Sequence, residues 1–95
     1  MNENEVKRLL EAVCSLETVD EARSFFEDLC TPREVADLSQ RLEVASLLSE
    51  GRSYLDVSRA TGASSTTVSR VSKCLNGESG GYRLVLFRIG NGTAE

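Results

Sequence analysis

The chain has no histidine and no tryptophan, a single proline, and few aromatics, three Phe and two Tyr among 95 residues. Without histidine it lacks the commonest general base, the Ser/His and Cys/His nucleophile pairs, and the usual transition-metal ligand. The cysteines Cys14, Cys30 and Cys74 form no CxxC pair and are odd in number, which fits neither a disulfide framework nor a zinc site. Each falls where an apolar stripe calls for a small residue, so inert core thiols are expected. The glycines stand singly apart from Gly80-Gly81, so there is no glycine-rich phosphate loop. An enzyme is not expected, nor is a metal site.

Long hydrophobic runs are also missing. No apolar stretch approaches the roughly 20 residues that cross a bilayer, and MNENEVKRLLEA carries Glu and Asn where a secretory signal would be basic. A cytoplasmic protein without a membrane partner is expected, folded as one domain over 1–95.

What is present is unevenly spread. The formal charge is −4, but residues 1–50 hold 5 basic and 12 acidic side chains, a balance of −7. Residues 51–95 hold 6 basic and 3 acidic, a balance of +3. Such asymmetry singles out the second half as the part that would meet a polyanion.

Apolar periodicity predicts an all-α chain of about six short helices. Val6, Leu9, Leu10, Val13 and Cys14 mark one helical face. A second helix is capped by Thr18 with Glu21, its face being Ala22, Phe25, Phe26 and Leu29. A third opens at Thr31-Pro32 with Glu34 closing the box and runs to Gly51. Val35, Leu38, Leu42, Ala45 and Leu48/Ser49 line one face of it, with Val44 and Leu47 widening that face. YRLVLFRI near the end fits a helical face or a strand; a helix over about 81–89 is expected, because a lone strand would have no partner.

Between these lies SYLDVSRATGASSTTVSRVSKCL, residues 53–75, rich in hydroxyls. Ser53 caps a short helix that ends at Thr61-Gly62, and a second runs over about 64–76, stopped by Gly77. Two short helices about a glycine turn make a helix-turn-helix over about 53–76. Val68, Val71 and Leu75 would pin the second helix inward, with Val57 and the small Ser58 facing it. Ser64, Ser65, Thr66, Thr67, Ser69, Arg70 and Lys73 are then the candidate DNA-binding residues. Short hydroxyls at a helix start permit close approach to a major groove, and cations further along reach phosphate or guanine. A merely solvated face would carry Glu and Lys, which favour helix, rather than Ser and Thr.

The stretch CTPREVADLSQRLEVASLLSEGRSYLDVSRATGASSTTVSRVSKCL resembles the Trp repressor superfamily. Within it, TGASSTTVSRVSKCLN followed by GGYRLVL is similar to the YerC/YecD-type Trp repressor-like proteins. The resemblance implies an all-α fold and an intertwined homodimer, each subunit presenting its recognition helix to one half-site of double-stranded DNA. The best-known member of the family takes L-tryptophan as corepressor between two arginines, and Arg41 and Arg70 match those positions. Val71 stands where that repressor has glycine, and the segment between Gly51 and Gly62 is a residue shorter. Both departures argue against an indole, and no cofactor is expected.

The function expected is a homodimeric DNA-binding transcriptional regulator, a repressor in the first instance. Two rivals stand beside it: a repressor gated by tryptophan or another amino acid, and a helical protein-interaction module that never reads DNA.

Overall fold

The computed structural model describes residues 2–90. These form six helices, α1 (Glu3–Cys14), α2 (Val19–Leu29), α3 (Pro32–Ser49), α4 (Tyr54–Thr61), α5 (Ser65–Leu75) and α6 (Gly81–Gly90), with no strand among the described residues. The expected all-α class holds, and the segment that could have been helix or strand is α6. The chain divides into two compact units, Met1–Val35 and Ala36–Glu95, with the division falling inside α3.

In the first unit the helix starts follow local chemistry. The Asn2 side chain accepts from the amides of Asn4 and Glu5, capping α1. Thr18 Oγ1 accepts from the Glu21 amide, and the Glu21 carboxylate reaches back to the Glu17 amide. At α3 the capping box is reciprocal: Thr31 Oγ1 accepts from the Glu34 amide at 3.1 Å, and Glu34 Oε1 accepts from the Thr31 amide at 2.8 Å. Phe25 and Phe26 meet edge to face, 5.7 Å between ring centroids. Neither α1 nor α2 has a buried residue. Leu9, Leu10, Val13, Val19 and Leu29 all stand exposed.

The second unit holds the core. Val44, Ala45, Val57, Ala63, Val68 and Val71 are buried together, with Leu47, Leu48, Tyr82 and Leu86 packed against them. Small branched residues dominate, which lets α4 and α5 approach closely and fixes χ1 at the contact. The α3 residues buried in this core are Val44 and Ala45. Of the stripe expected from periodicity, Leu38 is exposed and Leu42 is half-buried. Ala45 and Leu48 of that stripe do meet the core, as do Val44 and Leu47, which widen it.

The cysteines also depart from expectation. Cys14 and Cys74 are exposed and Cys30 is half-buried, all three as free thiols. Cys14 ends a helix that buries nothing. Cys74 lies one position before the inward Leu75, which turns it out of the core.

Candidate nucleic-acid interface

The helix-turn-helix is closed by side chains that satisfy its backbone. Gly62 adopts φ 76°, ψ 3°, the left-handed conformation that lets α4 end and the chain reverse, and its amide bonds the Ser58 carbonyl. Ser58 Oγ donates to the Ala63 carbonyl at 2.6 Å, and Thr61 Oγ1 donates to the Val57 carbonyl while accepting from the Ala63 amide. Gln40 Nε2, on α3, donates to the Thr61 carbonyl at 3.2 Å. A turn with so few open backbone groups holds one geometry. It therefore fixes the angle at which α5 leaves α4.

Val68, Val71 and Leu75 are buried as expected and anchor α5. Ser65, Thr66, Ser69, Arg70 and Lys73 are all exposed. At helical spacing these five occupy one stripe roughly 12 Å long. Their side chains form no hydrogen bond or ion pair among the described residues, and α5 has no acidic residue in its first turn. The positive end of the helix dipole is thus unopposed where the hydroxyls lie.

The other two candidates have a different task. Ser64 Oγ accepts from the Thr67 amide at 3.1 Å and donates to Thr67 Oγ1 at 3.2 Å. Both hydroxyls are committed to the N-cap of α5. Thr67 also turns half inward, where it lines a cavity of about 230 Å³ with Arg41, Arg70, Val71, Cys74 and Tyr82. The two arginines matched by resemblance are therefore brought to one cavity. It lies just under the 300–1,000 Å³ of ordinary small-molecule sites.

Three structural contributors were not singled out from sequence. Gln40 acts across 21 positions, Tyr54 bonds Ser72 across 18, and Arg83 bonds the Leu75 carbonyl across 8. No local pattern marks such pairs. Among the described residues no group of three His, Cys, Asp or Glu could hold a metal ion, and no helix is long and apolar enough to span a membrane.

A compact trihelical core presenting a capped, unopposed second helix defines a helix-turn-helix protein. The Trp repressor protein family model matches residues 4–89, and the chain belongs to that family. It is 44% identical over 85 residues to YerC of Bacillus subtilis strain 168, an uncharacterised protein, covering 90% of this chain and 82% of that one. A TrpR-like protein from Eubacterium eligens superposes with a TM-score of 0.88 at 48% identity, over 94% of this chain and 92% of that one. A candidate Trp repressor from Staphylococcus aureus superposes with a TM-score of 0.87 at 36% identity, over 94% and 89%. The fold is Trp repressor-like, in a family of regulators.

Proposed function

We propose that this protein is a cytoplasmic, homodimeric, sequence-specific DNA-binding transcriptional repressor whose α5 enters the major groove. The observation that carries the reading is the stripe Ser65, Thr66, Ser69, Arg70 and Lys73, exposed and without internal partners on a helix whose first turn has no acid. Short hydroxyls let the helix axis come near the base edges, and Arg70 and Lys73 neutralise phosphate or reach guanine. The net charge of −4 does not oppose this, since the second half alone carries +3.

A dimer follows from two separate needs. One short recognition helix makes too few contacts for useful affinity, and two-fold repetition doubles them over two half-sites. In addition, α1 exposes Leu9, Leu10 and Val13, and α6 exposes Leu84, Val85, Phe87 and Ile89. Apolar faces of that extent call for a covering partner, and a second copy supplies it.

A second reading is favoured by one observation, the cavity shared by Arg41 and Arg70. Two guanidinium groups beside Thr67 and Tyr82 suit the carboxylate of a small amino acid. Val71 lines the same space and limits the ring it could accept. The test of both readings is selection from a random-sequence duplex pool, with and without a mixture of amino acids. Enrichment of one motif without ligand supports the constitutive regulator; enrichment only with the mixture supports the gated one. No enrichment in either condition would leave the interaction-module alternative.

A further inference from the structure

The two ends of α5 are held differently. At its start, the Ser64 cap and the Ser58, Thr61 and Gln40 hydrogen bonds fix the turn. At its end the last carbonyls must find donors outside the helix. The Ser72 carbonyl takes the Asn76 amide and Asn76 Nδ2, and the Cys74 carbonyl takes the Gly77 amide. The Leu75 carbonyl is reached by a side chain from α6, Arg83, whose Nη1 donates at 2.5 Å.

That contact is charged and well placed. A guanidinium at a helix C-terminus faces the negative end of the dipole, and a charge-assisted bond is stronger than a neutral one. Just before α6 the chain passes through Gly80 at a φ of +77°, which few side chains adopt. Leu75 and Arg83 also share the wall of a cavity of about 620 Å³ lined by α3 and α6 residues. The arginine therefore joins α6 to the turn of α5 that carries Lys73.

We infer that Arg83 is a positioning residue for DNA reading, clamping the C-terminal turn of α5 so that Lys73 keeps a fixed relation to Ser65, Thr66 and Arg70. It touches no base and no phosphate itself. Loss of the clamp frees the last turn of α5 and blurs sequence preference, while general attraction to DNA persists. This inference rests on the DNA-binding reading above.

The test uses the full chain and a preferred duplex obtained by wild-type selection, with a scrambled duplex as reference. Affinities of wild type, Arg83→Ala, Arg83→Lys and Arg83→Gln are measured for both over a potassium chloride series. Arg83→Ala is expected to narrow the preference roughly tenfold, the order of one charge-assisted hydrogen bond. Its affinity for the scrambled duplex and its salt slope should match wild type, and Arg83→Lys should recover most of the preference. A slope reduced by about one unit on both duplexes would mean that Arg83 neutralises a phosphate, and overturns the inference. An unchanged preference overturns it as well.

Amide hydrogen exchange on the free protein supplies a readout that needs no DNA. In Arg83→Ala, exchange should quicken at Cys74–Gly77 and stay slow at Val57 and Val68. Faster exchange throughout the chain would mean a general structural role, and unchanged exchange would mean no clamp; either result overturns the inference. If Arg83→Ala does not fold by circular dichroism, Arg83→Gln, which keeps a planar donor without charge, carries the same comparisons. A wild-type protein that enriches no duplex refutes the DNA reading, and exchange alone then decides the clamp.

Discussion

Ser58 Oγ donates a 2.6 Å hydrogen bond to the carbonyl of Ala63, joining α4 to the chain just past Gly62. Ala63 is buried and Ser58 half-buried, so water does not readily replace that donor. The bond, with Gly62 at φ 76°, sets the exit angle of α5.

Ser58→Ala should therefore lower stability by about 1–2 kcal/mol, the cost of an unpaired, poorly hydrated carbonyl. In a domain of this size each kcal/mol lowers Tm by about 4–8 °C, readable by circular dichroism. Gly62→Ala should cost about 1–2 kcal/mol through its left-handed backbone. Melting curves for both variants that superpose on wild type would mean the turn is not held as described.

A second expectation concerns assembly. Sedimentation at micromolar concentration should give twice the 10.4 kDa chain mass. Phe87 and Leu10 are each 57% exposed in the single chain, and a persistent monomer would leave both in water. Phe87→Glu should shift the equilibrium toward monomer, because a carboxylate cannot be buried unpaired. A clean monomer for wild type contradicts the proposed dimer.

The third concerns the corepressor. Binding of L-tryptophan should be weak or absent, since Val71 occupies part of the Arg41–Arg70 cavity. The chain has no tryptophan of its own, so quenching of ligand fluorescence is read without background. Saturable micromolar binding, lost in Arg41→Ala, would refute this and favour the gated reading.

What was legible in the sequence was local. Thr18 with Glu21 and Thr31 with Glu34 announce helix starts because both partners lie within one turn. Val68, Val71 and Leu75 announce the inward face of α5 by spacing alone, and all three are buried. How much of the α3 face enters the core was only partly legible. Ala45 and Leu48 of the expected stripe, with Val44 and Leu47 that widen it, do meet the core, whereas Leu38 at the start of that stripe stays exposed. The thiols failed for a related reason, since periodicity places Cys14 on an apolar face that the first unit leaves uncovered. Within the candidate interface, spacing brought seven residues onto one helix, from its N-cap Ser64 to Lys73 in its last turn. It did not separate the cap pair Ser64 and Thr67 from the five free side chains, because that division depends on hydroxyl orientation.

The most direct test of the central claim is the salt dependence of DNA affinity in four variants that circular dichroism shows to be folded. Arg70→Ala and Lys73→Ala should each weaken binding, Lys73→Ala reducing the slope of log affinity against log salt by about one unit. Arg70→Ala should either do the same or cost roughly 1–3 kcal/mol at one base position, as a guanine reader would. Lys7→Ala and Arg23→Ala, on the acidic first unit, should leave affinity and slope near wild type. Equal losses in all four variants would contradict the assignment of α5 as the reading helix.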